Sequence, residues 1–190
     1  MRLSGYNKEK YLLSLFAKGD ALAMDVLYAE YADYLAKVCS RYIENRDDLH
    51  DVLQEAFIRI FTKIDTFEYR GKGSLKAWLT KIVINESLHF LRDNDANVFI
   101  DKGAGLQDVV ADEQCNSAGE PDIDNLSITQ ITDAIFKLPI GYRTVFNLFA
   151  IEGKSHKEIA EFLNIKPDTS ASQFHKARSM LAKMLKEQNK

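Results

Sequence analysis

Residues 155–178 read SHKEIAEFLNIKPDTSASQFHKAR, and this stretch decides the fold of the second half of the chain. Its beginning predicts a short amphipathic helix, because Ser155 and Glu158 have the spacing of a capping box. Residues 164–166 then form a turn, and Pro167 suits the first position of a second helix. The stretch therefore predicts a helix–turn–helix.

The second helix of this pair is predicted to continue to about residue 186 with two different faces. Its apolar face holds Phe174, Ala177, Leu181, Met184 and Leu185. Its opposite face holds Thr169, Ser172, Lys176, Ser179 and Lys183. That outer face is small, polar and basic, as a helix in the major groove must be. An ordinary helix hairpin also carries Lys and Ser on its surface, but the complete helix–turn–helix pattern favours DNA binding.

Outward from this stretch, the pattern predicts helices on both sides and an all-α fold. Further helices are expected at residues 8–18, 21–42, 48–64, 74–92, 126–137 and 142–150. Proline is nearly absent from these blocks, which suits long helices. Residues 93–126 are poor in large apolar side chains and rich in glycine and acid, which predicts a linker. We therefore expect two helical domains, at residues 1–92 and 127–190, joined by an acidic linker.

The net charge of −3 argues, taken alone, against nucleic-acid binding, but it is unevenly distributed. Residues 93–126 carry 1 basic and 9 acidic side chains. Residues 1–92 carry 14 basic and 13 acidic side chains, and residues 127–190 carry 10 and 6. The overall acidity therefore belongs to the linker, and the two flanking domains are neutral to basic.

Cysteine and histidine usage gives no sign of a metal site. Cys39 and Cys115 are the only cysteines, neither belongs to a CxxC pair, and the four histidines are scattered. Cys39 fits a helical apolar pattern and is predicted to be a small core residue. No apolar run approaches the length of a bilayer span, and the first residues show no secretion signal. We expect a reduced, cytoplasmic protein.

The helix predicted at residues 48–64 has two contrasting faces. Its core face holds Leu49, Val52, Leu53, Ala56, Phe57 and Ile60. Its other face holds Asp48, Asp51, Gln54, Glu55 and Arg59, with Ile58 in the middle. A polar face is usually only solvated, and a single exposed Ile is ordinary. Charges around an apolar anchor are also what a protein-docking surface needs.

The segment that follows mixes aromatic, basic and glycine residues, FEYRGKGS at residues 67–74. Aromatic rings can stack on unpaired bases and cations can follow phosphates, although two glycines also suit any tight loop. In the next helix Ser74 is the expected N-cap, and Leu75, Trp78, Leu79, Ile82 and Phe90 are the expected inward face. Glu86 falls on that face and requires a partner.

Three motifs together resemble the extracytoplasmic-function sigma factors of the sigma-70 family. Residues 51–57, DVLQEAF, are similar to the DxxQExF signature of sigma region two. The resemblance implies that this helix docks on the clamp helices of the polymerase β′ subunit. The implied core-binding residues are Asp48, Asp51, Gln54, Glu55 and Ile58.

Residues 67–92 resemble sigma regions 2.3 and 2.4, where a loop and a helix capture a flipped base of the melted minus-ten element. The implied DNA contacts are Arg70, Lys72, Ser74, Lys76, Lys81, Asn85 and Arg92. Leu88 lies in the helical stripe of Lys81, Asn85 and Arg92.

Residues 138–160 are similar to sigma region four, which reads the minus-thirty-five element in duplex DNA. The implied contacts are Lys157, Thr169, Ser172, Gln173, Lys176 and Arg178. Lys176 and Arg178 are candidates for phosphate contacts, which set register without reading sequence. The chain departs from the family pattern at Ala171 and His175, where basic residues are usual.

The resemblance covers both helical blocks and implies a sigma factor without regions one and three. It implies RNA polymerase core (β′ clamp helices and β flap), promoter DNA and an anti-sigma factor as partners. It implies no catalytic residue, metal, cofactor or membrane insertion. A stand-alone helix–turn–helix regulator explains the second block equally well but leaves residues 51–74 unexplained. A helical adaptor without DNA function leaves the local positive charge unexplained.

Overall fold

The computed structural model describes residues 5–95, 98–99 and 127–188, and it divides into two compact units, Met1–Asn94 and Asp95–Lys190. All regular elements in these described ranges are helices, so the predicted all-α class is confirmed. Most of the predicted linker at residues 93–126 lies outside the described residues. Within the described part of the chain, every helix is too short or too polar to cross a membrane.

Residues 5–94 of unit 1 form four α-helices and a short 3-10 turn. They are α1 (Gly5–Ala17), α2 (Leu22–Cys39), α3 (Arg46–Lys63), the 3-10 turn (Ile64–Thr66) and α4 (Ser74–Asn94). Helix α4 packs against both α2 and α3. The predicted core of α3 is confirmed at Val52, Ala56, Phe57 and Ile60, all buried. Removing these apolar side chains from water supplies the main stabilisation of the unit.

The inward face predicted for α4 is partly wrong. Leu75 and Leu79 are buried, but Trp78, Ile82 and Phe90 are only half-buried. The buried face is turned toward Thr80, Val83, Ile84, Ser87, Leu88 and Leu91. Two hydroxyl side chains can lie on this buried face, because Thr80 donates to the Lys76 carbonyl (2.8 Å) and Ser87 donates to the Val83 carbonyl (2.8 Å). A hydroxyl satisfied by its own helix can be buried beside apolar neighbours.

Cys39 lies in the core of unit 1, as predicted. Its side chain is fully buried, with Sγ 3.5 Å from the Ser87 hydroxyl oxygen. Burial raises the pKa of the Cys39 thiol, an effect that the Ser87 hydrogen bond partly offsets. The thiol is therefore a small packing residue of the α2–α4 contact rather than a reactive nucleophile.

The described residues of unit 2 form four α-helices and one turn of π-helix. They are α5 (Ile128–Phe136), α6 (Ile140–Phe146), the π-turn (Asn147–Ile151), α7 (His156–Leu163) and α8 (Pro167–Gln188). Ala134, Leu138, Ala177, Leu181 and Leu185 form one buried cluster. Buried Arg143 donates to the carbonyl of Phe136 (3.0 Å), the last residue of α5. This bond satisfies a helix-terminal carbonyl and fixes α6 against the end of α5.

The capping box predicted at the start of α7 is confirmed. The Ser155 hydroxyl accepts from the Glu158 amide, and the Glu158 carboxylate accepts from the Ser155 amide (2.9 Å) and hydroxyl (2.8 Å). These bonds lower the pKa of Glu158, the backbone bond most strongly.

The lowered pKa of Glu158 determines how the stability of unit 2 changes in acid. The folded-state pKa of Glu158 lies below the ordinary 4.5, so its contribution is present above that pH and is lost as the pH falls through the folded value. At neutral pH we expect the Tm of Glu158→Gln to lie below that of wild type. This difference in Tm should shrink as the medium is acidified below pH 4.5. Thermal melts across that range check this. A constant difference in Tm would contradict it.

Candidate polymerase-binding and DNA-binding surfaces

The first surface is the polar face of α3, held on a well-anchored helix. Asn45 caps the helix, because its Oδ1 accepts from the amides of Asp47 (2.8 Å) and Asp48 (3.1 Å). Five predicted core-binding residues share this face: Asp48, which is half-buried, and Asp51, Gln54, Glu55 and Ile58, which are exposed. Ile58 is 48% exposed although it is a large apolar side chain. The structure thus brings the other four together around one uncovered apolar residue.

An ion pair fixes this face against α4. Arg59 Nε lies 2.8 Å from Glu86 Oε2, and the Glu86 side chain is only 12% exposed. Glu86 therefore has the partner that its position requires, and the pair joins α3 to α4. Because Arg59 is held by Glu86, the face around Ile58 carries mainly carboxylates and an amide.

Sequence reasoning missed Tyr28 on α2. Its ring lies 4.9 Å from that of Phe57, the residue before Ile58, yet Tyr28 is 56% exposed. A signal was present in the sequence, because Tyr28 lies one turn before the buried Tyr31 and one residue after the buried Leu27. Tyr28 is thus an exposed aromatic residue of α2 that borders α3 at Phe57.

The second surface begins with the loop at residues 67–74, which has a defined conformation. Gly71 (φ 121°) and Gly73 (φ 87°) adopt backbone angles that side-chain-bearing residues rarely take. The Ser74 hydroxyl donates to the Gly71 carbonyl (2.7 Å) and accepts from the Arg70 amide (3.2 Å). Ser74 is therefore the first helical residue and a loop brace, which corrects its predicted role as N-cap of α4.

A carboxylate from α1 caps α4 instead. Glu9 is buried, and its two oxygens accept from the Gly73 amide at 3.1 and 3.2 Å. Burial, with the nearby carboxylates of Glu9 and Glu30, raises the pKa of Tyr31 to about 12. A carboxylate at a helix N-terminus is favoured by the exposed amides and the helix dipole. Glu9 therefore fixes the glycine loop to the rest of unit 1.

Glu9→Ala should lower the free energy of unfolding of unit 1 by about 1–3 kcal/mol, because a part-buried amide is left without its acceptor. Denaturant unfolding followed by tryptophan fluorescence measures it, since Trp78 lies on α4 beside Phe67. Glu30→Ala is the matched control, because the Lys8–Glu30 pair is about half exposed and contributes little. Equal destabilisation in the two variants would contradict the role of Glu9.

The predicted minus-ten contacts are distributed along the loop and α4. Arg70 and Lys72 are exposed on the loop, with Arg70 paired to Glu68 at 3.2 Å. Lys76 is exposed, with its ammonium 3.9 Å from the centre of the Tyr34 ring. Lys81 and Asn85 are exposed, and Arg92 is half-buried. The predicted stripe of Lys81, Asn85, Leu88 and Arg92 is interrupted at Leu88. This residue is buried because the inward face of α4 differs from the predicted one.

The third surface is the helix–turn–helix of unit 2. Asn164 ends α7 in the left-handed conformation (φ 55°), and the Ile165 amide donates to the Ala160 carbonyl (3.0 Å). His156 Nδ1 lies 3.0 Å from the Ser170 hydroxyl, and its ring stacks on Phe149 (4.4 Å between centroids). These contacts fix α8 against α7, so the polar side of α8 is held in a defined direction.

The predicted minus-thirty-five contacts differ in their exposure to solvent. Lys157, Ser172, Lys176 and Arg178 are exposed, as are Ala171 and His175, and Thr169 is half-buried. Lys176 also lies 5.9 Å from the centre of the Tyr142 ring. Gln173 contradicts the prediction, because it is only 1% exposed and its Nε2 donates to the Phe99 carbonyl (2.9 Å). In this arrangement Gln173 is closed to DNA.

Comparison with known proteins agrees with this division. Residues 27–97 match the Sigma-70 region 2 model, and residues 128–181 match the Sigma-70 region 4 model. The first match covers the α3 face and the glycine loop, and the second covers the helix–turn–helix. A stand-alone helix–turn–helix regulator would account for the second match alone.

Whole-chain relatives point the same way. The chain is 33% identical to the ECF RNA polymerase sigma factor SigW of Bacillus subtilis over 175 residues, covering 90% of this chain and 92% of that protein. It is 27% identical to the ECF RNA polymerase sigma-E factor of Escherichia coli K12, covering 91% and 92%.

Two solved structures share the fold. One is the sigma factor RpoE in complex with the anti-sigma factor NepR from Bartonella quintana, with a TM-score of 0.51, 21% identity and coverage of 87% and 98%. The other is CnrH in complex with the cytosolic domain of CnrY, with a TM-score of 0.50, 22% identity and coverage of 95% and 98%. The two family models match in the same order along the chain, and the relatives match over nearly their whole length. The chain therefore belongs to the extracytoplasmic-function sigma factors of the sigma-70 family and is an RNA polymerase sigma factor for transcription initiation at promoters.

Proposed function

We propose that three surfaces divide the work of this sigma factor. The face of α3 around Ile58 binds the clamp helices of the polymerase β′ subunit. The observation that carries this assignment is an uncovered Ile58 among Asp51, Gln54 and Glu55 on a helix fixed by the Arg59–Glu86 pair. Apolar anchors surrounded by polar groups carry most of the affinity of protein interfaces. Tyr28 extends this face.

The loop at residues 67–74 and the exposed residues of α4 bind the melted minus-ten element. Arg70 and Lys72 supply charge for phosphates, and Lys76, Lys81 and Asn85 continue along α4. Glu9 and Ser74 hold the loop in shape before DNA arrives, so binding costs little conformational entropy. Melting is then strand separation stabilised by capture of a flipped base.

The helix–turn–helix binds the minus-thirty-five duplex and contacts the polymerase β flap. Ser172 and half-buried Thr169 offer hydroxyls to base edges, while Lys157, Lys176 and Arg178 meet phosphates. Ala171 and His175 stand where basic residues are usual in the family, so this helix presents fewer Lys and Arg side chains. Affinity for the element therefore rests on few cations, and promoter recognition requires both units.

We infer that an anti-sigma factor holds this chain inactive in the cytoplasm. The support is that both structural neighbours were solved with a partner, the anti-sigma factor NepR for RpoE and the cytosolic domain of CnrY for CnrH. The uncovered apolar side chains Tyr28 and Ile58 give such a partner a surface that competes with polymerase.

Transcription from duplex and pre-melted templates tests the assignment of the loop. Arg70→Ala combined with Lys72→Ala should reduce initiation on duplex promoters about tenfold or more, because the cations that hold the phosphates of the open strand are removed. The reduction should be smaller on a template already mismatched across the minus-ten element. Lys18→Ala with Lys63→Ala removes the same charge from exposed positions of unit 1 as the control. Unchanged initiation on the duplex promoter would contradict capture of melted DNA, as would an equal reduction in the Lys18→Ala, Lys63→Ala control.

A further inference from the structure

Val98 and Phe99, which follow α4 in the chain, pack within unit 2. Phe99 is 3% exposed, and its carbonyl accepts from Gln173 Nε2 on α8 (2.9 Å). Val98 lies against α6, where a Cβ added at Gly141 would fall 2.9 Å from the Val98 carbonyl oxygen. Real Cβ atoms essentially never approach backbone so closely, so the glycine leaves room for this segment. Val98 and Phe99, a short piece of the predicted linker, thus fit closely against α6 and α8, and this position is here called the seat.

The seat lies over a residue of α8 that borders the exposed side of the helix. Thr169, Gln173 and Lys176 follow one another at i, i+4 and i+7, so they share one side of α8. Lys176 is exposed and Thr169 is half-buried, but Gln173 between them is buried. The Phe99 carbonyl lies on the Gln173 amide. Gln173 also lies in one row with Ser170 and Ala177, which are fully buried, so Val98 and Phe99 supply one part of its cover.

The buried amide of Gln173 is only half satisfied. Its nitrogen donates to Phe99, but its Oε1 is buried without a hydrogen-bond partner among the described residues. A buried polar atom without a partner destabilises the state that contains it. Displacement of the segment would return this oxygen to water or to another donor. The unpaired oxygen thus lowers the stability of the state in which the segment covers Gln173.

We propose that Val98 and Phe99 form an autoinhibitory strap that covers Gln173 in the free protein. When the strap leaves its seat, the Gln173 amide joins Thr169, Ser172 and Lys176 on the DNA-reading side of α8. A glutamine amide can pair with both N6 and N7 of adenine in the major groove. The DNA-reading part of this proposal rests on the proposed function of the helix–turn–helix, whereas the strap itself does not.

Chymotryptic digestion of the full chain tests the strap without DNA. Cleavage after Phe99 requires that this residue leave its seat. The cleavage rate after Phe99 is measured against that after Leu106 in the same digest, by the masses of the fragments. Gly141→Ala should raise this ratio about tenfold, because its Cβ displaces the Val98 carbonyl and the open state becomes dominant. Ile151→Ala, exposed in the same unit, should leave the ratio unchanged. An unchanged ratio in Gly141→Ala would overturn the strap.

Duplex binding tests the covering of Gln173. The probe is a duplex selected from a random library by the full chain. If the strap is seated about nine-tenths of the time, releasing it tightens binding about tenfold. We expect that increase in affinity in both Phe99→Ala and Gly141→Ala, and we expect it to disappear when each is combined with Gln173→Leu.

The outcomes separate this proposal from the proposed function. Unchanged or weaker duplex binding in both single variants would overturn the covering of Gln173, as would an increase in affinity that persists in the Gln173→Leu background. Failure of the helix–turn–helix to bind any duplex would contradict the proposed function. In that case the digestion would still show whether the strap exists.

Discussion

Ile58→Glu should weaken binding of the chain to core RNA polymerase about 100-fold while leaving its fold intact. The side chain is the apolar centre of the α3 face, and a carboxylate there would be desolvated against the partner without compensation. The surrounding Asp51 and Glu55 would add like-charge repulsion within the face. Since Ile58 is 48% exposed in the free chain, the Tm should change little.

Affinity measured by pull-down and by fluorescence titration with core enzyme checks this expectation. The matched control is Ile151→Glu, which makes the same chemical change at a residue of unit 2 that is 45% exposed. Ile58→Leu, which keeps an apolar anchor, should retain most of the affinity. If Ile58→Glu bound core as tightly as wild type, the α3 face would not be the polymerase-binding surface.

Lys176→Ala combined with Arg178→Ala should reduce affinity for minus-thirty-five duplex about tenfold or more at low salt. Both side chains are exposed on α8. If each side chain meets one phosphate, the slope of log affinity against log salt should become less steep by about one for each cation removed. The difference between variant and wild type should therefore narrow as salt is raised.

Fluorescence anisotropy at several salt concentrations measures both the affinity and the slope. Lys137→Ala combined with Lys186→Ala removes the same charge from exposed positions at the ends of α5 and α8. That control should keep most of the affinity. Identical slopes in the two double variants would mean that unit 2 attracts DNA only through its total charge, which would contradict a helix–turn–helix docked in one orientation.

The sequence predicted the helices well because their signals are local. The capping box of Ser155 and Glu158, the turn at Asn164 and the start at Pro167 all involve neighbours within a few residues. The apolar spacing of α3 similarly identified its core face and left Ile58 outside it. Hence the proposed polymerase-binding face was predictable from a single helix.

The remaining features depend on residues distant in sequence. Glu9 caps α4 from 64 positions away, and Gln173 is covered from 74 positions away. The face of α4 was misplaced because Thr80 and Ser87 are polar by composition but satisfied within the helix. A helical wheel cannot register either effect, since it contains neither long-range partners nor the local bonds of hydroxyls.

Run-off transcription by bacterial core enzyme on a promoter library tests the division of labour most directly. Wild-type chain should direct initiation at promoters that carry both elements. Ile58→Glu should strongly reduce transcription and core binding but keep duplex affinity. The Lys176→Ala, Arg178→Ala variant should keep core binding but no longer depend on the minus-thirty-five element. If wild-type chain gave no promoter-specific transcript, or if each variant failed in both core binding and duplex affinity, the assignment of separate surfaces to polymerase and DNA would be contradicted.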